Sequence, residues 1–389
     1  MSEGWTRKKR ISSGASFNPM KIIGLDIRCC RYDGSAIEGA ALRDGSEING
    51  FEFLVYTLHT NTGDSASMFG FAGRSARGAG HMAAASLRPF LMGRNPLDRE
   101  AIWQDWRTAD RWWHHLPIYM YGPVDCCLWL LGAHAAGQPL WRYIGGAQST
   151  VPVYASSMVL KDADAYANEA LAVRDAGFKA YKIHPPGNSL GEDIEIHQAV
   201  RTAVGTDFNL MSDPVAAHSF EEAVRFGRAL EKLDYLWLEE PLPDENFAAL
   251  RELTRVLDIP VVGTEVLAKH PYSVAECIAT RVTDAVRADV SWTGGVTGAL
   301  KTARLAEAFH MNCELHTTIF HPLELVNLHV AGAVRNNSYF ELLWPIETFD
   351  FGLTSALPMA DGIATLPTAP GLGAELDWDM IDGATQEVV

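Results

Sequence analysis

The sequence predicts a parallel β/α barrel preceded by a smaller α+β domain, and a repeated spacing is the main reason. Charged residues recur 24 to 27 residues apart along the second half of the chain. Each lies at or near the carboxyl end of a short apolar run, and a helix-like segment follows each run. One strand, one helix and two loops take about 25–35 residues, so this period is typical of such a barrel. The charged residues are Asp213, Glu239, Glu265, Asp289, His316 and Glu341.

The N-terminal third of the sequence does not show this repeated spacing. We expect a flexible tail at residues 1–19 and an α+β capping domain at residues 20–149. Within that domain, residues 22–28 and 51–60 read as strands, and residues 74–91, 99–114 and 122–136 show helical patterns. The region is rich in tryptophan, which favours packing between helices and against the barrel. These tryptophans are Trp103, Trp106, Trp112, Trp113 and Trp129.

The barrel is predicted at residues 150–347. Its eight strands are expected at residues 151–157, 179–184, 208–213, 235–239, 261–265, 285–291, 312–316 and 339–342. Residues 348–389 contain several prolines and glycines and are too irregular for another β/α unit, so we expect them to pack back on the capping domain.

Composition excludes several classes of protein. The formal net charge of −16 argues against binding to nucleic acid or to an anionic membrane surface. The longest apolar stretch is far shorter than the roughly 18–20 residues that span a bilayer. The basic N-terminus has no apolar segment after it, so it does not read as a secretory signal. The six cysteines show no disulfide or zinc spacing, which favours a reduced, cytoplasmic protein.

Three carboxylates end three successive predicted strands, namely Asp213, Glu239 and Glu265. Carboxylates within a few ångströms of one another repel unless a cation lies between them. Oxygen ligands suit a hard divalent ion, and three carboxylates with open positions match Mg²⁺. Unrelated surface acids are the plain alternative, but the matched positions on consecutive strands favour a metal site.

The next two strands end in Asp289 and His316. A carboxylate that accepts a hydrogen bond from one imidazole nitrogen fixes the tautomer and raises the basicity of the other nitrogen. We therefore expect His316 to act as a general base. A histidine satisfied inside the barrel is the alternative, and the partner on the adjacent strand end disfavours it.

Three further residues are candidates for the site. Lys182 and His184 share one face of the second strand, since they are two residues apart. Lys182 is expected to neutralise a substrate carboxylate or to lower the pKa of a neighbour, and His184 to act as acid or base opposite His316. Glu341, if protonated or sharing a proton, is expected to bind a developing enolate oxygen. A solvated lysine and a rim glutamate are the alternatives. The glycine-rich run at residues 294–298 matches no phosphate loop and reads as a tight turn into a helix.

At these residues the chain resembles the enolase superfamily, and within it the mandelate racemase-like subgroup. The resemblance runs from about residue 20 and includes WLEEP at residues 237–241, GTE at 263–265, DVSWTGGVTG at 289–298 and the cap-like segment at 122–146. It implies an α/β fold, a modified TIM barrel of the (β/α)₇β type under an N-terminal α+β cap. It also implies Mg²⁺ on Asp213, Glu239 and Glu265, a catalytic Asp289–His316 pair, and a homo-oligomer, either a dimer or an octamer.

The chain departs from the subgroup pattern in three places. His184 stands where relatives often have a second lysine, which puts a lysine-based stereochemical scheme in doubt. Pro214 and Val215 follow Asp213, where many relatives have an asparagine two places on. The cap loops do not point to one substrate; candidates to reach it are Arg31, Tyr32, His59 and residues 69–74.

The resemblance implies abstraction of the proton α to a carboxylate of a small-molecule substrate. The first hypothesis is an acid-sugar dehydratase that acts on an aldonate or aldarate and gives a 2-keto-3-deoxy acid. The second is a racemase, epimerase or cycloisomerase, which needs acid/base groups on both faces of the substrate. A metal-dependent hydrolase is a weaker alternative, because the first strand has no H-x-H motif. A non-catalytic binding protein leaves the carboxylates and the histidine unexplained.

Overall fold

A capping domain and a barrel make up the described part of the chain. This part covers residues 19–33, 50–267, 271–317 and 319–389 in a computed structural model. The tail predicted at residues 1–19 lies outside the described residues, except for its last residue. The cap contributes three antiparallel strands, β1 (Ile22–Tyr32), β2 (Phe51–Thr60) and β3 (Ser65–Phe71). Its helices are α1 (Ala76–Leu91), α2 (Arg99–Ala109), α3 (Ile118–Ala135) and α4 (Leu140–Tyr143).

The barrel follows, and its parallel strands alternate with helices as predicted. The strands are β4 (Thr150–Ser156), β5 (Ala180–Ile183), β6 (Asn209–Ser212), β7 (Trp237–Glu239), β8 (Val261–Gly263), β9 (Ala285–Ala288), β10 (Asn312–Leu315) and β11 (Phe340–Leu343). The helices are α5 (Ala163–Asp175), α6 (Leu190–Val204), α7 (Phe220–Lys232), α8 (Phe247–Val256), α9 (Tyr272–Thr280), α10 (Gly295–Ala308) and α11 (His321–Ala331).

Strand pairing confirms the barrel type. The strands from β4 to β10 pair in chain order, and β11 returns to pair in parallel with β4. Local sequence supports several of these units. For example, Ser219 and Glu222 form a capping box at the start of α7, in which each side chain bonds the backbone of the other residue. Because all eight strands run in parallel, their carboxyl ends open on one face of the barrel.

The C-terminal segment contacts both domains. It contains α12 (Ile346–Phe349), β12 (Met359–Ala360), β13 (Ile363–Thr365), α13 (Trp378–Ala384) and β14 (Thr385–Val388). β13 pairs antiparallel with β4 of the barrel, and β14 pairs antiparallel with β1 of the cap. The last residues of the chain therefore complete the sheet that the first strand begins.

Apolar side chains fill the barrel below the strand ends. One residue from each of six strands contributes to this inner cluster, and Tyr339 packs against it. The aromatic rings meet edge to face, with 5.8 Å between the ring centres of Tyr154 and Trp237. The members are Tyr154, Ala180, Met211, Trp237, Val262 and Ala285. Charged side chains above this layer are thereby shielded from water on one side.

A buried aspartate joins the cap to the barrel. Asp125 of α3 accepts hydrogen bonds from the Thr297 backbone N–H and hydroxyl, each at 2.8 Å. Gly295, with φ of +90°, has no space for a side chain because an added Cβ would lie 2.3 Å from Asp125. Burial raises the pKa of Asp125 to about 7, although the Thr297 bonds oppose this. The glycine run is thus a tight turn into α10, as predicted, and a carboxylate from the cap occupies that helix start.

Some local predictions were wrong. The helix predicted at residues 99–114 changes at Asp110–His114 into a π-helical turn. This turn leaves Trp112 and Trp113 64% and 84% exposed, although packing was expected for both. Trp103 and Trp106 are buried as predicted. Among the helices that the structure describes, none has the length and apolar character needed to cross a bilayer.

Candidate functional site

The strand ends bring the six regularly spaced residues to one face of the barrel. Asp213, Asp289 and His316 directly follow β6, β9 and β10. Glu239 is the last residue of β7, and Glu265 lies two residues beyond β8. Glu341 lies within β11. All five acidic residues are buried, so their carboxylates require compensating positive charge.

Lys182 contacts three of the carboxylates of the site. It lies in β5 and is 1% exposed. Its Nζ is 2.8 Å from Glu239, 2.9 Å from Glu341 and 3.5 Å from Asp213. Burial alone lowers the pKa of Lys182, but Glu239 and Glu341 outweigh it and raise that pKa well above its ordinary value. Of its two predicted roles, this position fits the effect on neighbouring carboxylates.

Arg287 also contacts three carboxylates of the site, and it was not among the residues predicted from the sequence. It lies in β9, is fully buried, and its guanidinium contacts Glu239, Glu265 and Glu341. The signal was in the sequence. Arg287 is a charged residue inside an apolar strand, two positions before Asp289, and residues two apart in a strand share one face.

Asp213 is held by its own loop and by His184. One carboxylate oxygen accepts the Val215 backbone N–H at 2.9 Å, and Val215 has a left-handed φ of +46°. The other oxygen lies 3.2 Å from His184 Nε2. Burial raises the pKa of Asp213, but Lys182 and His184 together hold it well below its ordinary value. A backbone N–H thus orients Asp213 in the segment where relatives often carry an asparagine.

His184 is bound through both ring nitrogens. Its Nδ1 lies 2.7 Å from the Ser157 carbonyl oxygen, while Nε2 faces Asp213. Its backbone N–H donates to the Ser157 hydroxyl at 2.9 Å. A role as acid or base requires Nε2 to leave Asp213, so the contacts favour a role in orienting that carboxylate.

His316 forms the expected pair with Asp289. Its Nδ1 is 2.8 Å from Asp289 Oδ2, while Oδ1 of the same carboxylate accepts the backbone N–H groups of Ser291 and Trp292. The other ring nitrogen, Nε2, lies 3.6 Å from Glu265. Burial alone lowers the pKa of His316, but Glu265, Asp289 and Glu341 outweigh it and raise it to about 9. At neutral pH a ring with this pKa is protonated, so action as a base requires a bound cation beside Glu265 to lower it. The Asp289 hydrogen bond fixes the orientation of the ring.

Glu341 lies between the two cations. Its Oε1 is 2.9 Å from Lys182 Nζ and its Oε2 is 2.6 Å from Arg287 Nη2. Burial raises the pKa of Glu341, but Lys182 and Arg287 outweigh it and hold that pKa well below its ordinary value. These contacts favour the ionised carboxylate over the protonated form that was one of the two predicted from the sequence.

The cap candidates for substrate contact are spread over several places. His59 lies 3.0 Å from Asp26, within the cap. Arg31 pairs with Asp33 at 2.8 Å, and Tyr32 stacks on Phe351 of the C-terminal segment. Among these candidates, Phe71 contacts the barrel close to a site residue in sequence. Its ring centre is 4.9 Å from that of Trp292, which lies three residues after Asp289.

A groove of about 430 Å³ lies beside this contact. Its walls include Val266 and Trp292, which follow Glu265 and Asp289 closely in sequence. Tyr119 of the cap also lines it, and the ring centres of Tyr119 and Trp292 are 5.2 Å apart. The cap and the barrel therefore both border this groove.

The donor chemistry of the site fits a divalent cation. Four buried carboxylates contact the two cationic side chains Lys182 and Arg287, which leaves an excess of negative charge. They are those of Asp213, Glu239, Glu265 and Glu341. Oxygen donors are the ligands that Mg²⁺ prefers. Within the described ranges, no three His, Cys, Asp or Glu side chains are already grouped as a metal site. The carboxylates converge instead on Lys182 Nζ and the Arg287 guanidinium, so the assignment of Asp213, Glu239 and Glu265 as ligands stays a prediction.

Comparison with known proteins adds independent findings. Residues 165–380 match the family model described as Enolase C-terminal domain-like. The chain is 28% identical over 307 residues to an arabinonate dehydratase of Saccharolobus solfataricus, which covers 77% of this chain and 81% of that one. It is 30% identical over 356 residues to a 3,6-anhydro-alpha-L-galactonate cycloisomerase of Streptomyces coelicolor, with 87% and 94% covered.

A solved structure is also similar. The D-glucarate dehydratase from Agrobacterium tumefaciens complexed with magnesium has a TM-score of 0.83 to this chain and is 31% identical in sequence. The similarity covers 95% of this chain and 99% of that one. The sequence relatives and this structure thus include dehydratases and a cycloisomerase that act on sugar acids.

Proposed function

The chain belongs to the enolase superfamily, and from that premise we propose that it is a Mg²⁺-dependent dehydratase of an acid sugar. The substrate class is an aldonate or aldarate, and the product is a 2-keto-3-deoxy acid. The observation that carries the proposal is the Asp289–His316 hydrogen bond of 2.8 Å, on the barrel face that also holds Asp213, Glu239 and Glu265. A base beside a set of carboxylate ligands is what removal of a proton α to a carboxylate requires.

The metal has one task in this scheme. Asp213, Glu239 and Glu265 would hold Mg²⁺, and the bound ion would supply positive charge against the negative charge on the substrate carboxylate. All other steps fall to side chains of the chain itself. Lys182 and Arg287 hold the carboxylates of the site in place. The inner apolar cluster shields them from water on the side of the barrel interior.

His316 carries the proton transfers. Its Nε2 is the ring nitrogen that Asp289 leaves free, so it accepts the α-proton as the Cα–H bond breaks and the electron pair moves toward the carboxylate. The same electron pair then forms the Cα–Cβ double bond as the Cβ–O bond breaks. The departing hydroxyl takes the proton from His316 and leaves as water. The enol that remains tautomerises to the 2-keto acid, and His316 is again neutral.

A direct assay tests this proposal. The purified protein is incubated with Mg²⁺ and a panel of aldonates and aldarates, and 2-keto acid is measured with semicarbazide. We expect at least one acid sugar to give product, and we expect a chelator to stop the reaction. A wide panel without product, or full activity in the presence of the chelator, contradicts the proposal.

A second candidate is a racemase, epimerase or cycloisomerase. The relative in Streptomyces coelicolor, named as a cycloisomerase, supports it. This reaction needs a second acid or base, for which His184 is the candidate once its Nε2 leaves Asp213. Deuterium incorporation at the α-carbon in D₂O without net loss of water favours this candidate over the dehydratase.

A further inference from the structure

Arg287 holds an unusual position among the charged residues of the site. Its side chain is fully buried, and its three guanidinium nitrogens face different partners. Nε lies 3.3 Å from Glu265, Nη1 donates to the Tyr154 hydroxyl at 3.1 Å, and Nη2 lies 2.6 Å from Glu341. Nη2 also lies 3.1 Å from Glu239. One planar group therefore links β4, β7, β11 and the loop after β8.

This linkage depends on the shape of the side chain. A guanidinium has five N–H donors in a rigid fork, whereas a lysine ammonium is a compact point charge. An arginine stays protonated when buried, so the charge of Arg287 is permanent. A lysine at this position keeps the charge but has one nitrogen, which does not span the separate positions from which Nε and Nη2 of Arg287 reach Glu265 and Glu341.

Lys182 and Arg287 divide the carboxylates between them. Both reach Oε1 of Glu239, at 2.8 Å and 3.1 Å. They bind opposite oxygens of Glu341. Lys182 continues to Asp213, while Arg287 continues to Glu265. Each of the three proposed metal ligands therefore has one oxygen fixed by an internal cation, and two of the three are fixed by Arg287.

We infer that Arg287 is a positioning residue that orients Glu239 and Glu265 for binding of the divalent cation. The inference rests on the proposed function, because it takes these carboxylates as ligands. Arg287 fixes Oε1 of Glu239 and Oε2 of Glu265, and Trp237 Nε1 donates to Oε2 of Glu239 at 3.0 Å, so the direction of each carboxylate is set before the cation binds. Residues that orient metal ligands typically change metal affinity by about 10–100-fold when they are replaced.

Arg201 provides a matched control. It is also a buried arginine, but its guanidinium donates to four backbone carbonyl groups and lies away from the carboxylates of the site. The acceptors are the carbonyl oxygens of Leu233, Gly205, Phe208 and Asp234, at 2.7–2.8 Å. Arg201→Lys thus tests the loss of a buried guanidinium fork without a change beside the ligands.

The experiment measures binding of Mg²⁺ alone by calorimetry, together with the thermal unfolding midpoint, for the full-length protein. We expect Arg287→Lys to weaken Mg²⁺ binding by about 10–100-fold. We expect Arg201→Lys to lower the unfolding midpoint and to leave Mg²⁺ affinity unchanged. Equal Mg²⁺ affinity in Arg287→Lys and the unsubstituted protein overturns the inference, and so does an equal loss of affinity in Arg201→Lys.

If Arg287→Lys does not fold, Tyr154→Phe takes its place, because it removes one acceptor of the guanidinium. We expect it to weaken Mg²⁺ binding by roughly fivefold, the equivalent of about one hydrogen bond, and unchanged affinity overturns the inference. If the unsubstituted protein does not bind Mg²⁺, the proposed function itself is contradicted. If it binds Mg²⁺ and the variants bind it with the same affinity, only the role of Arg287 is contradicted.

Discussion

The two histidines of the site, His184 after β5 and His316 after β10, differ in how they are held. Each side chain is 20% exposed. Asp289 binds His316 through Nδ1, which leaves Nε2 directed toward the site and 3.6 Å from Glu265. His184 instead uses Nδ1 on a backbone carbonyl and Nε2 on Asp213. Equal exposure therefore does not mean equal chemistry, since the partners of each ring decide which nitrogen can accept a proton.

The comparison predicts its largest effect for His316→Asn. Asparagine has no nitrogen that accepts a proton at neutral pH, so loss of the base is expected to lower the dehydration rate by about 10²–10⁴-fold. The measurement is the rate of 2-keto acid formation at saturating Mg²⁺. Mg²⁺ affinity serves as the control and is expected to change little. A rate near that of the unsubstituted protein rules His316 out as the base.

Asp289→Asn is expected to have the next largest effect. The amide oxygen can accept the backbone N–H groups of Ser291 and Trp292, which turns the amide N–H₂ toward His316 Nδ1. That contact favours the tautomer with a proton on Nε2, which cannot accept another proton. We expect a rate loss of roughly 10²-fold with little change in KM. A change in KM alone means that Asp289 affects binding and not the tautomer.

His184→Asn separates the two histidines. If His184 orients Asp213, its loss weakens Mg²⁺ binding by about tenfold and leaves α-proton exchange intact at saturating Mg²⁺. Exchange is followed by NMR in D₂O, with His316→Asn measured beside it. Loss of exchange in the His184 variant, with exchange retained in the His316 variant, reverses the assignment of base and orienting residue.

Ser157→Ala is expected to have the smallest effect. It removes the hydroxyl that accepts the His184 backbone N–H, while the Ser157 carbonyl that bonds the His184 ring remains. The loss of one hydrogen bond is expected to lower the free energy of unfolding by about 1 kcal/mol, measured by urea denaturation. The rate of 2-keto acid formation is expected to fall less than in His184→Asn. A larger fall than in His184→Asn shows that the backbone position of His184 matters more for activity than its ring.

Much of this architecture follows from local sequence. The barrel could be predicted because six of its strands end at or near one of the regularly spaced charged residues. Helices α5 to α8 also carry side-chain caps, as Ser219 and Glu222 show. The Asp289–His316 pair could be predicted because neighbouring parallel strands end at the same level. Both depend on short stretches of sequence and on one repeated unit.

Other features depend on contacts that a single stretch of sequence does not contain. The partners of Lys182 come from three other strands, so they are defined only when the barrel closes. β14 pairs with β1 at the opposite end of the chain. β3, with the sequence SASMFGF, has a weak alternation of apolar and polar residues, and its pairing with β2 stabilises it. Exposure of Trp112 and Trp113 follows from a change of helix type that composition does not signal.

The central claim is that His316 removes a proton from the carbon next to a carboxylate in a Mg²⁺-dependent step. The most direct measurement is NMR in D₂O of an acid sugar that the protein turns over, with and without Mg²⁺, for the unsubstituted protein and His316→Asn. We predict loss of the α-proton signal and formation of a 2-keto acid for the unsubstituted protein with Mg²⁺ alone. An unchanged rate in His316→Asn, or full turnover after removal of divalent cations, contradicts the account.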